Sequence, residues 1–145
     1  MHVLLLRNNK ITDLTPLQDL SSLTWLDISK NPIESIEPLS HLTKLETLWM
    51  SHVPVGALES LWPLKSLRYL SIKDSGVDDV SALSEVNSLQ YVGLSKNRIE
   101  DLRPLSRLKN LKAVDIYRNP ILFCPEDKVR WRSKCEKAMQ YGWDE

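Results

Sequence analysis

The sequence has no excess of charge of either sign, because 19 lysines and arginines are balanced by 19 aspartates and glutamates. Overall charge therefore gives no argument for a nucleic acid or an anionic membrane as a partner. No apolar run approaches the roughly 18 residues that a membrane-spanning helix needs. The opening residues, MHVLLLRNNK, also have too short an apolar run for a signal peptide. We expect neither membrane insertion nor nucleic acid binding.

Glycine and histidine are scarce, with four and three residues respectively. The four glycines form no phosphate-binding or dinucleotide-binding motif. His2, His41 and His52 fall at different positions of the repeat described below, which does not match the spacing of zinc ligands. Serine, histidine and aspartate form no recognisable nucleophile signature. We therefore expect a protein that is not an enzyme and that needs no cofactor or metal ion.

What the sequence does have is a repeat of 22 residues, with five complete units from Met1 and a sixth that begins LKAVDIYRNPI. Three positions of the unit are aliphatic in all six copies. The fourth position holds Leu4, Leu26, Leu48, Leu70, Val92 and Val114. The sixth holds Leu6, Ile28, Met50, Ile72, Leu94 and Ile116. The eleventh holds Ile11, Ile33, Val55, Val77, Ile99 and Ile121.

The spacing of these aliphatic residues predicts the shape of one unit. Leu-x-Leu alternates with a period of two, which is typical of a short strand with one buried face. The later Leu-x-x-Leu-x-x-Leu spacing does not suit a strand, and Pro16, Pro38 and Pro104 favour an irregular or 3-10 return leg over a long α-helix. Each unit is too small to bury its own aliphatic face. The units must therefore stack, with their strands forming a parallel sheet.

The pattern L-x-x-L-x-L-x-x-N-x-I-x-x-L-x-P-L-x-x-L resembles the leucine-rich repeat family, specifically the 22-residue class of bacterial internalins and of the phosphatase-regulator type. The resemblance covers residues 1 to about 121. It implies an α/β solenoid with a curved parallel sheet of about six short strands and a concave face that recognises proteins. We assign residues 1–122 to the solenoid and residues 123–145 to a C-terminal helical cap.

A column of asparagines occupies position nine, where the chain turns inward after the strand. Its members are Asn9, Asn31, Asn97 and Asn119. A buried asparagine can pair with backbone groups of adjacent coils, so we interpret these residues as structural. Val53 and Ser75 interrupt the column. Because valine offers no hydrogen bond, we predict an altered or looser loop at residues 51–56.

The N-terminal end has no cap in this pattern, because Met1 is already the first residue of a unit. Leu4, Leu5 and Leu6 would then lie at a bare sheet edge, which solenoids normally cover. We expect the chain to be a fragment or to be preceded by another segment. The alternative is a natively uncapped chain.

The C-terminal segment departs from the repeat after Pro125, a residue that suits the start of a helix. Trp131, Cys135, Ala138 and Met139 would share one helix face and seal the core, which makes Trp131 a core residue.

The two cysteines, Cys124 and Cys135, lie just before and within that predicted helix. We favour a disulfide between them, and two buried thiols are the alternative. Similar terminal cysteine pairs occur in secreted bacterial leucine-rich repeat proteins, so the resemblance favours a secreted or cell-surface location. A cytoplasmic location remains the alternative.

An outward row of aromatic residues is the main candidate for a binding site. Positions three and five of each unit point away from the core, and they hold Trp25, Trp49, Tyr69 and Tyr91. We expect Trp49 to touch both Trp25 and Tyr69, since diagonal neighbours on adjacent strands lie within reach. The predicted polar rim consists of Asp27, Lys30, His52, Lys73, Asp74, Lys96, Asp115, Tyr117 and Arg118. Mixed charge around exposed rings suits a protein partner.

Several interpretations of this row remain open. The rings could cover one another and the sheet with no partner. Trp62, on the return leg, could pack on the loop that lacks its asparagine or form a second patch. We predict a monomeric protein-binding module. The alternatives are a carbohydrate or cell-surface adhesion module and a regulatory subunit of an enzyme such as a phosphatase.

Overall fold

The computed structural model describes residues 1–126 together with Trp131 and Cys135. Six parallel strands of three residues each form one open sheet in the order of the sequence, as the repeat predicts. The strands are β1 (Val3–Leu5), β2 (Trp25–Asp27), β3 (Thr47–Trp49), β4 (Tyr69–Ser71), β5 (Tyr91–Gly93) and β6 (Ala113–Asp115). Each residue pairs with the residue 22 positions later, so equivalent positions of successive units form straight columns across the sheet.

The core lies behind the sheet and is built from the aliphatic columns. Leu26, Leu48 and Leu70 are completely buried at position four, as are Ile28 and Ile72 at position six. The first unit covers its apolar residues less well, because Leu4 and Leu6 are only half-buried against the core. Burying one such side chain contributes about 1.5–3 kcal/mol, so the stacked columns are the main source of stability.

The return legs contain short 3-10 helices, in agreement with the spacing and the prolines. Their bounds are Thr15–Leu17, Glu37–His41, Glu59–Leu61, Ser81–Glu85 and Arg103–Arg107. A side chain at position 13 of the unit often caps the leg: Asp79 accepts a hydrogen bond from the Ser81 N–H at 2.7 Å, and Asp101 accepts one from the Arg103 N–H at 2.9 Å. These acids therefore hold the local turn as well as facing the solvent.

At the C-terminal end, Cys124 and Cys135 form a disulfide with a Cα–Cα distance of 6.3 Å, which confirms the favoured pairing. Closing a loop of this length contributes about 3 kcal/mol by restricting the unfolded chain. Trp131 is 2% exposed and belongs to the core, as predicted. The N–H of Cys135 donates to the carbonyl of Trp131 at 2.9 Å. The predicted helical cap otherwise falls outside the described residues, including Ala138 and Met139.

Three members of the asparagine column bond to backbone groups of the preceding coil. The amide oxygen of Asn97 accepts the N–H groups of Ser75 at 3.0 Å and Val77 at 3.1 Å, both in the preceding unit. Its amide nitrogen donates to the carbonyls of Ile72 at 2.7 Å and Leu94 at 2.8 Å. Asn31 makes the equivalent bonds to the first unit, and Asn119 bonds the fifth. Asn31, Asn97 and Asn119 thus each tie their own coil to the preceding one.

The interruption at Val53 has a different consequence from the one predicted. The loop keeps the turn of its neighbours: His52 has a left-handed φ of 56°, and its N–H donates to the carbonyl of Lys73 at 2.8 Å. The missing side-chain acceptor affects the preceding unit instead. The N–H groups of Asn31 and Ile33 there have no hydrogen-bond acceptor among the described residues. Valine fills the volume of the missing amide but cannot accept those two bonds.

Candidate functional site

The sheet face that points away from the core carries two tryptophans in contact. We call Trp25 and Trp49 the indole pair. Their ring centroids are 5.3 Å apart and their planes meet at 74°, an edge-to-face arrangement. They are 38% and 39% exposed, so each ring is partly covered and partly open to solvent. The strand alternation places them there, because positions three and five face away from buried position four.

The predicted aromatic row is shorter than expected. Tyr69 is exposed, but the ring contacts formed by the described residues do not include one between Trp49 and Tyr69. Position three of β2 and position five of β3 lie on one diagonal of the sheet, whereas Tyr69 lies on the opposite diagonal from Trp49. Tyr91 is half-buried and belongs to an ionic cluster described below. The indole pair is therefore the compact aromatic feature of this face.

Asp27 differs from its predicted role as an exposed rim residue, because it is only 5% exposed. It lies on the same face as Trp25, two residues later, and directly beside Trp49 in the pairing of β2 with β3. Both neighbours are large rings, and we attribute the burial of the short aspartate to them. Its Oδ1 accepts the N–H of Ser29 at 2.9 Å.

An ionic cluster occupies the other half of the face. The Nζ of Lys73 donates to Oδ2 of Asp115 at 2.8 Å, although the two residues lie two units apart. The lysine passes over Gly93, where an added Cβ would lie 2.9 Å from its Cε. The hydroxyl of Tyr91 lies beside the same gap, 3.3 Å from the position of that Cβ. Glycine thus leaves the space through which the lysine side chain reaches the carboxylate.

The Lys73–Asp115 pair changes the acidity of both groups. Burial of Asp115 opposes its ionisation, but the hydrogen bonds from Lys73 and from the Tyr117 N–H outweigh it and lower the pKa below 3.8. The hydrogen bond to Asp115 raises the pKa of Lys73 above 10.5. The carboxyl therefore contributes stability above pH 3.8, which is lost as the pH falls through its depressed pKa. The lysine contributes below pH 10.5, and this is lost as the pH rises through its raised pKa.

Replacing Gly93 with alanine should break this pair. The new Cβ displaces the end of Lys73, so the pKa of Asp115 should rise when its main favourable partner leaves. We expect less than about 1 kcal/mol of lost stability, because the pair is partly exposed. A carbon-detected NMR titration of the Asp115 carboxyl measures the change, with Lys73→Met as the reference for complete loss. An unchanged Asp115 titration in Gly93→Ala would contradict this account.

The turn after each strand forms the rim of the face. Position eight has φ between 52° and 60° in all six units and is never glycine: it holds Asn8, Lys30, His52, Asp74, Lys96 and Arg118. The N–H groups of the first five donate to the position-seven carbonyl of the next unit at 2.7–3.0 Å, which extends the sheet ladder past the strand. A non-glycine residue in the left-handed backbone region destabilises the fold by about 1 kcal/mol. The turn therefore holds long polar side chains at the rim.

The remaining predicted site residues are distributed along this rim. His52 and Asp74 form a contact of 3.1 Å between Nδ1 and Oδ2. Tyr117 is exposed and packs under the guanidinium of Arg118, 5.4 Å from its ring centroid. Lys96 is exposed. Outside the face, Trp62 is exposed on the return leg with the Lys65 ammonium 5.2 Å from its ring centroid.

Sequence reasoning missed Gly93 as a site residue. A signal was present, since Gly93 is the glycine within the position-five column and lies between Ser71 and Asp115. It also missed the left-handed turn at position eight. A glycine or asparagine there would have indicated a positive φ, but four of the six units have Lys30, His52, Lys96 or Arg118 instead.

Within residues 1–126 and at Trp131 and Cys135, no group of three or more histidines, cysteines or acidic residues is placed to hold a metal ion. No helix in that part of the chain is long and apolar enough to cross a membrane.

The family model of leucine-rich repeats in two copies matches residues 1–41 and 21–62. An internalin (inlF) from Listeria monocytogenes superimposes with a TM-score of 0.79 and 28% identity over 82% of this chain. Internalin C2 (inlC2) from the same species gives 0.80 and 27% over 85%. The chain therefore has the leucine-rich repeat fold. A leucine-rich repeat protein of Leptospira interrogans shares the fold, with a TM-score of 0.78 and 24% identity over 94% of this chain and 36% of that one.

The chain spans 35% of the length of the first internalin and 60% of the second. A search of the curated proteins returns no match. Its fold is that of a general protein-interaction module, and proteins built this way are generally non-catalytic scaffolds.

Proposed function

We propose that this protein is a non-catalytic binding module that holds a protein partner on the exposed sheet face, with the indole pair at the centre of the contact. One observation carries the proposal: Trp25 and Trp49 pack edge to face, yet each keeps more than a third of its surface open. Tryptophan is enriched among the residues that dominate binding energy, particularly where polar groups surround it.

The surroundings of the indole pair support a protein partner. Tyr69 adds a further exposed ring on the next strand, and the His52–Asp74 contact lies at the nearby rim. Lys73 and Asp115 neutralise each other in the other half of the face. A contact surface with an aromatic centre, paired charges and a mixed polar rim is typical of protein interfaces.

Alanine substitution tests the proposal. The Trp25→Ala/Trp49→Ala double variant should lose at least about tenfold in affinity for proteins captured by the wild type, because hot-spot truncation typically costs 2 kcal/mol or more. Trp62→Ala is the matched control, since Trp62 is exposed but lies on the return leg. Quantitative pull-down with each variant, followed by titration of the captured protein, measures the effect.

Unchanged capture by the double variant would overturn the proposal, provided that circular dichroism shows both variants folded. Loss of capture in Trp62→Ala alone would move the contact to the return leg.

We also propose that the protein works in an oxidising compartment, outside the cell or on its surface. The Cys124–Cys135 disulfide supports this, as does the likeness to internalins. Mass spectrometry of the protein isolated from its native source, after alkylation without reduction, should find both cysteines unmodified by the reagent. Alkylated Cys124 would contradict the proposal.

A further inference from the structure

We infer that the indole pair and Asp27 form a receptor for one cationic side chain, a lysine or arginine of the partner protein. The inference rests on the proposed function and specifies the chemistry that the partner presents at the centre of the contact.

Asp27 is 5% exposed, yet it has one hydrogen bond, from the Ser29 N–H to its Oδ1. Its Oδ2 has no hydrogen-bond partner within the described part of the chain, and it is not fully enclosed. No lysine, arginine or histidine of that part forms an ion pair with it. A buried carboxylate with a single neutral donor is under-satisfied, and it is stabilised by an arriving cation.

Asp115 occupies the same position of its unit as Asp27 does, and it makes the equivalent local contact, accepting the N–H of Tyr117 at 3.3 Å. Asp115, however, also receives the ammonium of Lys73 at 2.8 Å. The position-five aspartate of this fold can therefore hold a local N–H and a basic group together. Asp27 has only the local N–H, from Ser29.

Lys73 reaches Asp115 across Gly93, where there is no side chain. On either side of Asp27, the same column holds Leu5 and Trp49. Both neighbouring positions carry large side chains, so the gap at Gly93 that Lys73 uses has no counterpart beside Asp27. A cation must therefore come from the solvent side of the face.

The rings beside Asp27 also favour a cation. A cation that approaches Asp27 from solvent meets the indole pair, whose ring faces attract cations through their electron density. Two rings meeting at 74° offer surfaces in two directions. Desolvating the ammonium or guanidinium is offset by the rings and by the carboxylate together, which neither would achieve alone.

The test uses the full chain and the probe acetyl-Gly-Lys-Gly-amide, with acetyl-Gly-norleucine-Gly-amide as the uncharged match. Indole N–H resonances of the 15N-labelled protein report binding at constant ionic strength. The lysine probe should shift the Trp25 and Trp49 signals and leave Trp62 unmoved, and the norleucine probe should shift none of them. The arginine analogue acetyl-Gly-Arg-Gly-amide should behave as the lysine probe does.

Asp27→Asn removes the charge and keeps an oxygen for the Ser29 N–H, so it should retain the fold and weaken the lysine probe at least tenfold. Asp78→Asn is the matched control, because it removes an exposed carboxylate on the return side. Trp49→Leu, which keeps Asp27, should also weaken binding of the lysine probe, and it serves as the second variant if Asp27→Asn unfolds.

Equal shifts from the lysine and norleucine probes, or equal affinity in Asp27→Asn, would overturn the inference. This outcome is distinct from failure of the proposed function. If the probe fails while the tryptophan double variant still loses its partner, the face binds a protein without a basic anchor. If the probe succeeds while the double variant keeps its partner, the cation site exists but the partner docks elsewhere.

Discussion

Replacing Asn97 with alanine should remove about 3–5 kcal/mol from the free energy of unfolding. The change leaves the N–H groups of Ser75 and Val77 without their acceptor and takes one donor from the carbonyls of Ile72 and Leu94. Each buried polar group that loses its partner costs about 1–3 kcal/mol, and local relaxation recovers part of the sum. Urea denaturation measures the loss.

Asn9→Ala is the matched control for this prediction. Asn9 is exposed, and its amide nitrogen bonds only to the Leu6 and Arg7 carbonyls of its own unit. It should cost less than about 1 kcal/mol. Amide hydrogen exchange provides a local check, because Ser75 and Val77 should exchange faster in Asn97→Ala. Equal destabilisation by the two substitutions would refute the view that the column acts by tying one coil to the next.

The repeat made most of the fold predictable. Strands at Leu-x-Leu, return legs at the prolines and an inward asparagine all follow from spacing, because a solenoid repeats one local environment in every unit. The outward direction of Trp25 and Trp49 followed from the same alternation. The disulfide was favoured by the placement of Cys124 and Cys135, although spacing alone left two thiols as an alternative.

What could not be predicted depends on neighbours across the sheet rather than along the chain. The sequence alone indicates that Asp27 is a surface residue, but it is buried, and we attribute this burial to the rings beside it. The Lys73–Asp115 pair joins residues 42 positions apart and depends on a missing side chain at Gly93. The expected Trp49–Tyr69 contact assumed that both diagonals of the sheet are equivalent.

The effect of Val53 likewise depends on a neighbouring coil rather than on the local sequence. Sequence reasoning placed the cost in the loop that contains the valine. In a stacked fold the position-nine side chain serves the coil before it, so the unpaired N–H groups belong to Asn31 and Ile33.

Restoring the column with Val53→Asn should therefore stabilise the protein by about 1–3 kcal/mol. The new amide oxygen can accept the N–H groups of Asn31 and Ile33, and its nitrogen can donate to the carbonyls of Ile28 and Met50. This is the geometry that Asn97 and Asn119 already adopt. Val53 is completely buried, so the substitution gives up apolar contacts, and two newly paired N–H groups must outweigh that loss.

Val55→Asn distinguishes a specific repair from a general effect of polarity. Val55 is buried in the position-eleven column, where an added amide meets the apolar core rather than the ladder of backbone bonds. It should destabilise the protein by about 1–3 kcal/mol. Denaturation midpoints of the two variants should move in opposite directions, and exchange of the Asn31 and Ile33 amides should slow in Val53→Asn alone. Destabilisation by both would mean that valine packing at position 53 outweighs the two unpaired N–H groups, and the break in the column would then be a stable packing solution.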